Sequence, residues 1–239
     1  MENKENKKGK PFAVLDVEGM STARPYNIGY IITDKYGNEY LQRSFAILPC
    51  IWENLKNCLQ AEEMTKKNVE EILSDIENPL DRKYFYNSVE DAKKQILKDF
   101  INFKVNEVWA YNCTFDKSSL KRLFSSDFEM LDGLVKFYDI IPVIVHTTLL
   151  NKTYIKWCKK NGYITEKGNI MTKAEIVYRY LKKDKNFQEE HTGLSDCKIE
   201  KEILLTAINS GKKIDRSITT PAWKIFKNFC EVENIKTID

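Results

Sequence analysis

The chain has little that would announce nucleotide-driven, thiol-based or membrane chemistry. Nine glycines and six prolines in 239 residues form no Gly-rich phosphate loop and no Walker-type motif, so nucleotide-driven chemistry has no support. Six cysteines, at 50, 58, 113, 158, 197 and 230, make no C-x-x-C pair and no zinc-finger spacing, which reads as reduced thiols. Only two histidines, His146 and His191, exist to activate a nucleophilic thiol. His146 follows the apolar stretch 140–145 and reads as a packed or capping residue. No apolar stretch approaches the roughly 20 residues of a membrane span. The 38 basic and 35 acidic residues leave a net charge of only +3, so any nucleic-acid binding must come from local patches. The opening MENKENKKGK has no apolar core and reads as a flexible basic start over residues 1–10, not a signal peptide. These absences point to a soluble, cytoplasmic protein without a membrane partner.

What is present is enough apolar material, 42% of residues, to bury a sizeable core. Strand patterns cover 12–18, 26–33 and 39–47, the last two joined by Asp34-Lys35-Tyr36-Gly37-Asn38, a hairpin-type connection with a glycine. Helical patterns follow over 52–64, 65–76 and 89–103, with Ala92, Ile96, Phe100 and Phe103 on one side of the last. A fourth strand is expected over 105–111, a helix over 117–124 and a short strand over 134–138. The organisation expected is a main domain over 11–210, a helical elaboration over 142–184, and a helical extension over 211–239.

Three settings carry acids that chemistry can use. Phe12-Ala13-Val14-Leu15-Asp16-Val17-Glu18 is an apolar run ending in two acids around one apolar residue. On a strand, positions 16 and 18 leave the same face and can converge on one cation. Trp109-Ala110-Tyr111-Asn112-Cys113-Thr114-Phe115-Asp116 is a second apolar run that turns at Asn112, with Asp116 near the start of the next helix. His191-Thr192-Gly193-Leu194-Ser195-Asp196 leads into a helical pattern with Leu194, Cys197, Leu204 and Ile208 on one side. Five residues of regular helix turn through about 500°, leaving His191 and Asp196 roughly 140° apart, so His191 must precede the helix to share a site with Asp196. Singly, each setting is ordinary: a solvated strand end, a helix cap, a loop histidine. Their order and context agree with one another.

In that combination the chain resembles the DEDDh (DnaQ-like) 3′–5′ exonuclease superfamily, which includes bacterial proofreading exonucleases and several RNA-trimming enzymes. Asp16-x-Glu18 resembles the first motif, Asn112-x-x-Phe115-Asp116 the second and His191-x-x-x-x-Asp196 the third, over about residues 12–205. A sister branch has tyrosine four residues before the last aspartate, where this chain has Thr192. Two positions depart from the pattern: Gly19 replaces a frequent threonine and Cys197 a frequent alanine. The resemblance implies an α/β, RNase H-like fold, a mixed central sheet flanked by helices with the site at strand ends. It implies that Asp16, Glu18 and Asp196 hold one Mg²⁺ or Mn²⁺, that Asp16 bridges to a second, and that Asp116 binds mainly through water. It makes His191 the general base and sets Gly19, Met20, Asn112 and Phe115 against the substrate. Carboxylates suit such ions because hard cations prefer oxygen ligands, and paired ions stabilise the entering and leaving oxygens of a phosphodiester.

Residues 142–184 interleave lysines, including Lys159 and Lys160, with Tyr154, Trp157, Tyr163, Tyr178 and Tyr180. That composition suits phosphate contact and base stacking; the same pattern also suits an amphipathic helical pair with solvated lysines over core aromatics. As a region it is the best candidate for substrate binding, with Lys159 and Lys160 as contacts. The C-terminal extension carries Pro221, Trp223, Phe226 and Phe229 near helical spacing and is expected to pack back onto the domain or serve as an interaction tail. Lys, Asn and Ile richness resembles proteins of AT-rich bacteria or their phages, and no polymerase or helicase motif accompanies the three acidic settings. The sequence reading is therefore a stand-alone 3′–5′ exonuclease acting on single-stranded DNA. The alternatives are an exoribonuclease, which would use the same residues, and a weakly active nucleic-acid- or partner-binding module on the same fold.

Overall fold

The computed structural model describes residues 7–60, 70, 72–74, 77, 85–190 and 192–233. The chain forms two compact units, Met1–Tyr138 with Glu190–Lys198, and Asp139–Glu189 with Ile199–Asp239.

The first unit is built on a mixed sheet of six strands among the described residues, in the order β4-β3-β2-β1-β5-β6. These are β1 (Phe12–Glu18), β2 (Asn27–Thr33), β3 (Glu39–Ile47), β4 (Phe85–Tyr86), β5 (Glu107–Ala110) and β6 (Lys136–Asp139). Strand β1 is central, antiparallel to β2 and parallel to β5, which is why it reads as an unbroken apolar run until its acids. The hairpin between β2 and β3 turns at Gly37 with φ 85°, a left-handed conformation that glycine adopts without a Cβ clash. Asp34 organises that turn. Its carboxylate accepts from the Gly9, Tyr36 and Asn38 backbone N–H groups, the Asn38 amide and the Tyr40 hydroxyl.

Among the described residues the flanking helices include α1 (Leu48–Gln60), α2 (Val89–Asn102), α3 (Cys113–Phe124) and the short α4 (Phe128–Leu134). Leu15, Ile28, Phe45, Ile96, Phe100 and Leu120 belong to one buried cluster that joins sheet to helices. Helix α2 is also fastened by polar contacts. Buried Asp99 accepts from the Tyr30 hydroxyl at 2.8 Å and Arg43 Nε at 2.9 Å. Burial alone would raise the Asp99 pKa, but Arg43, Gln95 and Tyr30 outweigh it and the net shift is downward.

Boundaries differ from the sequence pattern where capping decides them. Helix α1 begins at Leu48, with Pro49 inside its first turn, where a missing N–H costs no helical bond. Helix α3 begins at Cys113 instead of 117, because Asn112 takes the left-handed conformation (φ 65°, ψ 49°) that ends β5 and starts the helix at once. The two-residue strand β4, paired in parallel with β3, and helix α4 had no counterpart in the sequence pattern. The helix expected over 65–76 lies mostly outside the described residues.

The second unit is helical: α5 (Ile140–Ile144) running into a π-helical turn (Val145–Leu149), then α6 (Lys152–Lys160), α7 (Ala174–Lys182), most of α8 (Gly193–Ile208) and α9 (Ala222–Val232). Its aromatics pack on one another: the buried Tyr154 ring lies 4.8 Å from that of Tyr180 and 5.9 Å from that of Phe226, and Trp157 lies 5.0 Å from Tyr163. Arg179 ties α7 to its surroundings through the Phe187 carbonyl, the Tyr163 hydroxyl and Glu175. His146, expected to be packed or capping, is exposed; the apolar face of its turn is supplied by Val145, Thr147 and Leu149, which are buried, and this turns the imidazole outward.

Candidate active site

One carboxylate oxygen from each of Asp16, Glu18 and Asp196 lies within 4.8 Å of the others. Asp16 and Glu18 lie at the end of β1, on either side of the buried Val17. The β1–β5 pairing stops at Val14↔Trp109, and the backbone beyond it finds another partner: the Val17 N–H donates to Asp116 Oδ1 at 3.2 Å. That bond ties the fourth acid, 2% exposed, to the peptide between the first two. Asp116 and Asp196 both occupy the first turn of their helices, α3 and α8, where the unpaired N–H groups and the helix dipole favour negative charge.

The start of α8 is fixed by a reciprocal cap. Thr192 Oγ1 accepts from the Ser195 N–H at 3.4 Å, and Ser195 Oγ accepts from the Thr192 N–H at 3.3 Å, the arrangement of a capping box with serine in the far position. The helix therefore begins at Gly193 and His191 precedes it in sequence, as sharing a site requires. His191 itself lies outside the described residues.

Gly29 and Gly193, to which the sequence pattern assigns no role, let that helix start come close. A Cβ on Gly29 would lie 2.1 Å from the Gly193 carbonyl carbon, and one on Gly193 would lie 2.7 Å from the Gly29 nitrogen. Two backbones thus touch directly opposite Asp16, whose register partner is Gly29. A glycine inside an apolar strand pattern, as in Asn27-Ile28-Gly29-Tyr30, is the signal that could have revealed this approach. Cys197 adds a thiol bond to the Gly29 carbonyl at 3.2 Å.

The segment after Glu18 is pinned from several sides. Asn54 of α1 accepts from the Met20 N–H at 2.8 Å and donates to the Arg24 carbonyl at 2.7 Å. Glu53 pairs with Arg24 at 2.6 Å, and Arg122 of α3 donates to the Ala23 carbonyl at 2.7 Å. Gly19 fits here because a Cβ would lie 3.0 Å from Pro25 Cα. Met20 and Phe115 are half-buried and pack against the core cluster. Lys159 and Lys160 lie on the last turn of α6, in the second unit.

The six cysteines are free and buried. Burial pushes the thiols of Cys50 and Cys158 up to about 11, so neither supplies a thiolate near neutral pH. Carboxylate oxygens are what the cluster offers. Three of them so close together fit a hard divalent cation: without one they would repel.

No family model and no curated protein matches the sequence. Solved structures do. The chain is similar to E. coli exonuclease I, solved with a dA16 oligonucleotide, at 17% identity and a TM-score of 0.51, over 82% of this chain and 40% of that one. It is also similar to cell-death related nuclease 4 (CRN-4), at 12% identity and a TM-score of 0.50, over 86% of this chain and 66% of that one. The likeness is one of fold: an α/β, RNase H-like sheet flanked by helices. The chain thus spans less than half the length of the exonuclease I chain it matches. Among the described residues no helix is long and apolar enough to cross a membrane.

Proposed function

We propose that the protein is a metal-dependent 3′–5′ exonuclease of the DEDDh type acting on single-stranded DNA in the cytoplasm. The observation that carries the reading is the convergence of Asp16, Glu18 and Asp196 from two separate elements, with Asp116 bonded to the backbone between the first two. Asp16, Glu18, Asp196 and, less directly, Asp116 would hold Mg²⁺ or Mn²⁺. The chemistry such ions supply when bound is activation of a water and neutralisation of charge on the entering and leaving oxygens.

The chain's own residues do the rest. Asp16 and Glu18 are held by a strand whose pairing leaves no freedom to slide, and Asp196 by a capped helix against glycine. Such fixed placement keeps reorganisation at the moment of reaction small. His191, five residues before Asp196, is the group assigned to take the proton from water, because a neutral imidazole accepts one near neutral pH. Gly19, Met20, Asn112 and Phe115 surround the strand end on this reading and would border the terminal nucleotide.

The test is direct. Full-length protein with Mg²⁺ or Mn²⁺ is given single- and double-stranded DNA and RNA labelled at either end. A ladder of shortened products from the 5′-labelled single strand, abolished by EDTA, is expected, with DNA consumed faster than RNA. The reverse preference would make the enzyme an exoribonuclease. Release of no nucleotide from any substrate by the metal-loaded protein would leave a binding module on a nuclease fold.

A further inference from the structure

The second unit contains a cleft of about 690 Å³ that the carboxylate site does not use, lined by Lys159 at the end of α6, Lys167 and Asn169 of the following turn, and Trp223, Phe226 and Lys227 of α9. The turn is closed by the Ile164↔Ile170 bridge, with the Thr165 N–H donating to the Asn169 carbonyl at 2.9 Å. Buried Phe226 and Ile170 give the cleft an apolar side. Three lysines from three separate segments face it, and no acid lines it among the described residues.

Trp223 distinguishes this place from the rest of the unit. Tyr154, Trp157, Tyr163 and Tyr180 spend their rings on one another, whereas Trp223 is 48% exposed. An indole left open beside three ammonium groups suits a ligand with both a flat π-face and closely spaced negative charge. Simple anions would leave the ring unused, and an apolar molecule would leave the lysines unused. Unpaired nucleotides have both features; paired bases in a duplex keep their faces buried in the stack. The volume falls in the range of small-ligand sites, and the Asn169 amide can both donate to and accept from a base edge.

We infer that this cleft binds single-stranded nucleic acid, with an unpaired base against Trp223 and neighbouring phosphates on Lys159, Lys167 and Lys227. The inference rests on the nuclease reading in one respect, the choice of a nucleic-acid strand over an acidic peptide of similar charge.

Binding is measured on the full-length protein in EDTA, so that no hydrolysis intervenes, with a 5′-labelled oligothymidylate, an oligouridylate and thymidine monophosphate as probes. The Lys167→Ala, Lys227→Ala double variant is expected to bind oligonucleotide about tenfold more weakly and to lower the slope of log K against log salt by about 1.4, the single-strand value for two lost phosphate contacts. Trp223→Ala should weaken binding about 5- to 100-fold, and Trp223→Phe should recover most of it, since a phenyl ring still stacks. Monophosphate should bind far more weakly than either oligomer. An unchanged Kd and salt slope in the lysine variant, with Trp223→Ala binding as the parent does, would overturn the inference. So would an oligoglutamate peptide whose binding, unlike that of oligonucleotide, depends on Trp223. Turnover at saturating substrate with Mg²⁺ is read separately: parental turnover with weakened binding supports the cleft, and reduced turnover with parental binding counts against it. If the parent protein turns over no substrate at all, the nuclease reading fails while the EDTA measurements still decide the cleft.

Discussion

The two units differ in what fixes their polar side chains. In the first, each described acid of the site is placed by backbone: a central strand for Asp16 and Glu18, a left-handed Asn112 and a bond to Val17 for Asp116, a capped helix start against Gly29 for Asp196. In the second, Lys159 stands at a helix end, Lys167 on a turn and Lys227 midway along α9, in a unit whose aromatics pack on one another. The difference matches what each proposed task would demand. Positioning ligands for a cation requires tolerances of a few tenths of an ångström, which flexible side chains on loose elements cannot supply. Attraction of a polyanion falls off slowly with distance and tolerates mobile lysines.

That contrast breaks most severely if Asp196→Ala leaves activity intact. The expected loss is about 10³-fold or more in kcat, several kcal/mol of lost charge stabilisation, with divalent-ion binding weakened in calorimetry and the fold retained by circular dichroism. His191→Ala should lower kcat by about 10²–10⁴-fold while metal affinity stays near parental. Parental kcat in that variant, at saturating metal and substrate, would remove the base from the proposal.

In the second unit the sharpest test is Tyr154→Ala against Tyr154→Phe. If the aromatics are core and not stacking platforms, the first should cost about 3–5 kcal/mol in denaturant unfolding. The second should cost only about 1 kcal/mol, for the hydroxyl bond to the Met171 carbonyl. Equal stabilities with a selective loss of oligonucleotide binding would return Tyr154 to the role of a stacking platform.

Gly29→Ala puts a methyl into the Gly193 backbone and should destabilise by about 3 kcal/mol, with activity falling further than stability alone explains because Asp196 moves with its helix. Gly133→Ala is the control. No atom lies within 4 Å of a Cβ there, so α4 should be unaffected or gain up to about 1 kcal/mol.

A smaller and pH-dependent effect belongs to Asp34. Burial would raise its pKa, but the bonds from Asn38, Gly9, Tyr40 and Tyr36 outweigh burial and hold it well below the usual carboxylate range. The folded pKa is thus lower than the unfolded value of about 3.9. Its contribution is complete above that value and is lost as pH falls from about 4 towards the folded pKa. Asp34→Ala should cost about 1–2 kcal/mol near neutral pH, and the gap between its thermal midpoint and the parental one should narrow steadily below about pH 4 and close only as the folded pKa is approached. A constant gap across that range would show that the turn is not held by the ionised form.

The acids themselves were legible because strand periodicity is two: Asp16 and Glu18 had to share a face once the apolar run was read as β1. Asn112 was legible as a turn because its side chain tolerates the left-handed conformation. The start of α3 lies four residues before the one the pattern predicts, since Cys113, Thr114 and Phe115 have no strong helical preference and the helix is set by Asn112 instead. The tyrosines around Trp157 were ambiguous in sequence for a physical reason: a ring that stacks on a base and one that packs in a core have the same composition and helical spacing.

Local rules, acting over a few residues, determined every strand of the described sheet except β4, the paired acids on β1, the need for the helix to begin after His191, and a basic-aromatic region apart from the acids in sequence. Only tertiary structure decided the contact of Gly29 with Gly193, the bond from Val17 to Asp116, the packing that consumes most of the aromatics, and the exposure of Trp223. Each of these depends on what lies across a gap from residues distant in sequence, and periodicity carries no information about that distance.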